Sequence, residues 1–204
     1  MRRRAATAIA VLALTGAAVA EAKNIGGTGK ADRLAGTNSA DRIVGRGGND
    51  KIDGRRGADK LYGNAGDDRL SGSAGNDTLL GSTGADVLLG GNDDDKLRGD
   101  ADNDNTVGGL GDDDVNGGAG NDRVSGGPGV DLVMGGDGDD RLDGGDGEDD
   151  LYGGPGNDTI QARDSNEDTI DCGDGEDTVT VDDQEDGVFD CETVIMPEGV
   201  NPQR

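Results

Sequence analysis

The sequence has no histidine and no tryptophan, and Tyr62, Tyr152 and Phe189 are its only aromatic residues. Without histidine, the commonest general base and the commonest metal-ligating side chain are both missing. Cysteine occurs twice, at Cys172 and Cys191. A zinc centre built on nitrogen and sulfur ligands is therefore excluded from most of the chain. No Ser-centred G-x-S-x-G motif is present, which removes the usual hydrolase nucleophile. Carboxylates are plentiful, but no aromatic cleft exists to hold a sugar between two of them, so a glycosidase is a poor fit. Basic residues are outnumbered 19 to 44 by acidic ones, for a net charge of −25. Such a surface repels nucleic-acid phosphates and anionic lipid, and it attracts hard divalent cations. The expectation is a chain with no catalytic residues, no nucleic-acid partner and no membrane insertion, acting as a monomer.

Glycine is what the chain has most of, at 41 of 204 positions. Composition alone would describe a disordered acidic polymer, but the order of residues argues otherwise. From Gly108 to Gln161 the chain reads GGLGDDDVN, GGAGNDRVS, GGPGVDLVM, GGDGDDRLD, GGDGEDDLY, GGPGNDTIQ. The template is G-G-x-G-x-D-x-U-x, with U aliphatic, and a repeat of this kind decides the fold. Followed backward, the register holds from Gly27 to Gln161, fifteen nonapeptides without an insertion. Position 1 is always glycine. Position 6 is always aspartate: Asp32, Asp41, Asp50, Asp59, Asp68, Asp77, Asp86, Asp95, Asp104, Asp113, Asp122, Asp131, Asp140, Asp149 and Asp158. Position 8 is aliphatic except at Thr106, and position 4 is glycine except at Lys30, Ser39, Asp93 and Asp102.

Glycine at positions 1 and 4 permits positive φ and a tight turn. The x-U-x tripeptide reads as a short strand with one side chain inward and two outward. Turn, strand, turn, strand closes one coil in 18 residues. Stacked coils then form an all-β parallel β-roll, a two-sheet solenoid with position 8 between the sheets. Position-6 aspartates line up in two columns, with neighbours one strand spacing apart, ~4.8 Å. Bare carboxylates at that distance repel, by about 0.9 kcal/mol even in a water-like dielectric. A cation between coils reverses the sign. Calcium accepts six to eight oxygens in flexible geometry, main-chain carbonyls included, and suits such turns better than magnesium does.

This pattern resembles the RTX, or haemolysin-type, calcium-binding repeats. The resemblance implies several calcium ions held by aspartates and carbonyls of adjacent coils on one edge. It assigns the ligand role to the fifteen position-6 aspartates. For main-chain oxygens it points to the best-preserved turns, those of Gly108, Gly117, Gly126, Gly135, Gly144 and Gly153. The Gly36 and Gly99 repeats depart most from the template, and their sites are expected to be weak or empty.

Residues 1–20 form a signal peptide: Arg2, Arg3 and Arg4, an apolar stretch, then Ala18-Val19-Ala20 as a cleavage site. The apolar stretch from Ala5 to Ala20 is 16 residues long, short of the ~20 that span a bilayer. Residues 21–26 are a lead-in, 27–161 the roll, and 162–204 a C-terminal cap with a frayed tail. Cys172 and Cys191 are 19 apart, about one coil, so a disulfide between neighbouring rungs is expected of an exported chain. Basic side chains at position 7 read as charge compensation beside the aspartate columns. The function expected is a secreted calcium-binding repeat protein that folds on binding Ca2+. The alternatives are a cell-surface, adhesion or matrix spacer, and a relative of RTX toxins or hydrolases without their catalytic domain.

Overall fold

The structure, a computed structural model, describes residues 21–182 and 187–196. The expected signal peptide lies outside the described residues. Among the described residues, twenty strands form two parallel ten-stranded sheets, odd strands in the first and even strands in the second. The first sheet opens with Asn24–Gly26 and Arg42–Gly47, the second with Arg33–Ala35 and Lys51–Arg56. Through the repeats each strand pairs with the strand 18 residues on, so Ile43 faces Leu61 and Leu61 faces Leu79. This is the two-sheet roll expected from the repeat.

Position 8 makes the core. Ile43, Leu61, Leu79, Leu97, Val115, Val133 and Leu151 stack from one sheet against Ile52, Leu70, Leu88, Val124, Leu142 and Ile160 from the other, all buried. Thr106 occupies the same column between Leu88 and Val124. It is fully buried and its hydroxyl has no hydrogen-bond partner. A buried hydroxyl left unpaired costs about 1–3 kcal/mol. Thr106→Val keeps the shape and removes that group. It is expected to raise the urea midpoint in saturating calcium, by about 1–2 kcal/mol of stability. An unchanged or lowered midpoint would contradict the assignment.

The strands are longer than the expected tripeptide. Most run six residues, from position 7 through position 3 of the next repeat. Position 1 therefore lies inside the strand, on its buried face, and its φ is not positive. This corrects the reading of that glycine as a turn former. Its real constraint is space: a Cβ at Gly45 would collide with Oδ2 of Asp50 and stand 2.9 Å from the carbonyl oxygen of Gly63. The left-handed residues are instead at positions 2 and 4. Position 4 has φ of 89° at Gly48 and 115° at Gly57. Position 2 has φ of 85° at Arg46, 80° at Arg55 and 128° at Gly109.

Beyond Gln161 both sheets continue. The extra residue between Asp158 and Asp168 is taken up before Thr169–Asp174, which pairs with Asp150–Pro155 at an offset of 19. Three-residue strands, Gly187–Phe189 and Thr193–Ile195, end the two sheets. Cys172 and Cys191 are joined by a disulfide with Cα atoms 5.2 Å apart. The bridge ties Thr169–Asp174 to the last rung, where the strands are shortest. Closing a loop of that length contributes about 3 kcal/mol.

Candidate metal centre

Each position-6 aspartate folds back beneath the strand that begins at the next residue. Its carboxylate lies over the position-1 glycine five residues earlier, in the space a side chain would otherwise fill. All but Asp32 are 1–4% exposed. Their Oδ1 atoms form two ladders. Asp32 donates its N–H to Oδ1 of Asp50 at 2.7 Å, and Asp50 donates to Asp68 at 2.7 Å. On the other edge Asp41 donates to Asp59 at 2.6 Å and Asp59 to Asp77 at 2.7 Å. The pattern runs on to Asp140→Asp158 at 2.8 Å and Asp158→Asp177 at 2.7 Å. The two columns expected from the spacing are thus present, and each carboxylate is also a hinge between coils.

Oδ2 behaves differently. From Asp50 through Asp158, thirteen of the fifteen aspartates bury this oxygen without any hydrogen-bond partner, and Asp177 does the same. Asp32 and Asp41 are the exceptions. Thr28 donates its N–H and hydroxyl to Asp32 at 2.6 and 2.8 Å, and Thr37 donates its N–H to Asp41 at 2.5 Å. A buried acceptor with no donor is costly, and a buried carboxylate more so. The main-chain oxygens beside it do not help. The carbonyls of Gly108, Gly117, Gly126, Gly135, Gly144 and Gly153 each approach the position-1 glycine one coil earlier, beside that coil's Oδ2. These are acceptors facing acceptors.

The protonation of the columns records the same imbalance. Burial is the main cause raising the carboxyl pKa, with neighbouring aspartates adding to it and the main-chain N–H opposing it. Asp59, Asp68, Asp113, Asp131, Asp149 and Asp158 are pushed up to about 6. Asp77, Asp86, Asp95, Asp104 and Asp140 are pushed up to about 7.

A hard cation fits this arrangement, because it supplies positive charge to oxygens that have no donor. Among the described residues no three His, Cys, Asp or Glu side chains converge on one metal-sized space. A cation here would draw on one carboxylate per coil and on main-chain oxygens, which is calcium chemistry rather than zinc chemistry.

The family model for the RTX calcium-binding nonapeptide repeat, four copies long, matches residues 26–61, 45–79, 71–106, 80–115, 98–133, 107–140 and 125–160. The chain belongs to the RTX calcium-binding repeat family. Nonapeptide repeats of this family bind calcium. No curated protein matches this RTX chain.

Two members of the columns lie beyond the fifteen repeats. Asp168 accepts the N–H of Asp149 at 2.9 Å, and Asp177 that of Asp158. Their signal is the triplet Asp-Thr-aliphatic, at Asp168-Thr169-Ile170 and Asp177-Thr178-Val179. A second ladder was not foreseen from the repeat. At position 5, N–H groups donate back one coil, as in Asn121→Asn103 at 2.9 Å and Asn157→Asp139 at 2.9 Å. In the Gly99 repeat Asp104 is placed as its neighbours are, with Asp102 holding the left-handed turn at φ 75°.

Proposed function

We propose that this RTX protein is a secreted calcium-binding roll that folds when it binds Ca2+ and has no catalysis of its own. One observation carries the reading: the same partnerless, buried Oδ2 recurs in coil after coil from Asp50 to Asp158. Calcium supplies the positive charge these oxygens lack. The residues that would hold it are the position-6 aspartates, through Oδ2, and the position-1 glycines, through their carbonyl oxygens. Each aspartate also holds its neighbour's amide, so ion binding and coil stacking use one side chain. Export is supported by the signal-peptide pattern of residues 1–20, the disulfide and the family.

The test is a calcium titration by calorimetry. Asp131→Ala and Asp140→Ala remove an orphan Oδ2, whereas Asp41→Ala removes one that Thr37 already satisfies. The first two variants are expected to need about tenfold more calcium for half-saturation, the size of a 1.4 kcal/mol loss. Asp41→Ala is expected to shift it by much less. Equal shifts in all three would show that Oδ2 is not where the ions act.

A further inference from the structure

Charge is unevenly placed along the roll. Sixteen basic residues follow Ala20, and ten of them lie between Lys23 and Arg69. Thirty-six of the 44 acidic residues come after Arg69. Between Lys23 and Arg69 every acid except Asp53 and Asp67 belongs to the aspartate columns. The outer surface of the first coils is therefore cationic on an anionic protein.

The second sheet concentrates that charge. Arg33, Lys51 and Arg69 stand opposite one another in register, one per coil at the strand spacing of ~4.8 Å. Arg55 points to the same outer face as Lys51, four residues along a strand of period two, and Arg56 follows it. All five are exposed. Among the described residues none of the five has a carboxylate within ion-pair distance.

Charge compensation does not account for this face. Compensating cations belong where acids are densest, yet basic residues thin out as acids accumulate. Further along the same column the run is broken: Val87 and Asn105 follow Arg69, then Arg123 and Arg141, then Thr159. Like charges directly opposite each other on a sheet are destabilising. Arg55 adds a second cost, since φ of 80° is unfavourable for a long side chain. From Gly109 to Gly154 every coil gives that position to glycine. The N-terminal coils keep arginine where glycine would be easier.

We propose that the outer face of the second sheet, over its first three coils, docks a linear acidic polysaccharide. A column that repeats at fixed spacing matches a polymer that repeats its anionic group. Guanidinium forks pair with sulfate or carboxylate in bidentate fashion. A bilayer would call for apolar anchors, and the residues between the cations are Ala35, Asp53 and Ser71. Single-stranded nucleic acid would call for aromatic stacking platforms, and this face has none. The acidic remainder of the roll repels the same polymer, so docking is confined to one end.

The experiment uses the full chain in millimolar calcium with fluorescent dextran sulfate, and neutral dextran as control. Dextran sulfate is expected to bind, neutral dextran not, and added salt to weaken binding. Lys51→Gln/Arg55→Gly/Arg69→Gln is expected to bind about tenfold more weakly or worse. Its Arg55→Gly change relaxes the backbone, and an unchanged circular dichroism spectrum confirms that the roll survives. Arg123→Gln/Arg141→Gln, neighbours in the same column further along, is expected to leave binding unchanged. The proposal is overturned if dextran sulfate fails to bind the wild type, or if both variants lose binding equally. The latter would indicate calcium bridging to the acidic coils. It is also overturned if oligothymidylate or phosphatidylserine vesicles bind as tightly as dextran sulfate. The proposal uses only outward side chains and stands apart from the calcium reading.

Discussion

Chelating calcium with EGTA at neutral pH is expected to abolish most of the strand signal in far-ultraviolet circular dichroism, and returning calcium to restore it. The reason is local and repeated. The core offers one aliphatic side chain per nonapeptide, thin for a chain that must order so many glycines. Against it stand at least fourteen buried carboxylate oxygens with no donor. Removing the counterion from a buried charge leaves a penalty of several kcal/mol per ion. Each coil contacts chiefly its neighbours on the same sheet and the facing strand, so a loss in one coil propagates to the next. Spectra that coincide in EGTA and in millimolar calcium would mean that the apolar column suffices, and would defeat calcium-dependent folding.

In EGTA, lowering the pH from about 8 to about 5 is expected to return part of that strand signal. The direction follows from the raised carboxyl values. In the unfolded chain these aspartates titrate near 3.8, and in the roll Asp77, Asp86, Asp95, Asp104 and Asp140 hold their protons to about 7. Between those limits the folded state binds more protons than the unfolded one. Stability of the metal-free roll therefore rises as pH falls through 7 towards 4, and is lost as pH rises through the folded values. A proton neutralises Oδ2 as a cation would. In saturating calcium the slope is opposite, because protons compete with the ion for the same oxygens. Circular dichroism against pH, with EGTA and with calcium, is expected to give two curves of opposite sense. A metal-free chain more folded at pH 8 than at pH 5 would contradict the burial of the columns.

The repeat made the roll, its 18-residue coil, the two aspartate columns and the inward aliphatic column legible, because each depends on spacing alone. What spacing could not convey is why a given glycine is there. Position 1 and position 4 look alike in sequence, yet Gly48 is needed for its positive φ and Gly45 for the room it leaves Asp50. Position 2 was opaque for the opposite reason. Its left-handed backbone is held by Arg46, Arg55, Asn64, Ser73 and Ser82, of which only Asn64 is a residue type that favours a positive φ. The burial of the aspartates was also hidden, since a charged turn residue ordinarily faces water. Only the neighbouring coil, which lays its glycine carbonyl beside the carboxylate, closes the site. Asp168 and Asp177 escaped because one added residue breaks the count of nine while leaving the stacking intact.

Ten strands stacked per sheet make a body only about 43 Å tall at the ordinary strand spacing. The described chain, pulled straight, would reach on the order of 550 Å. Beside the sheet ladders, each rung from Asp32 to Asp177 is fastened to the next by the amide-to-carboxylate bond of one aspartate, repeated along each edge. The roll is thus a spool, in which tension on one end meets a single coil's fastenings at a time, and the disulfide of Cys172 and Cys191 is the knot that keeps the far end from running out.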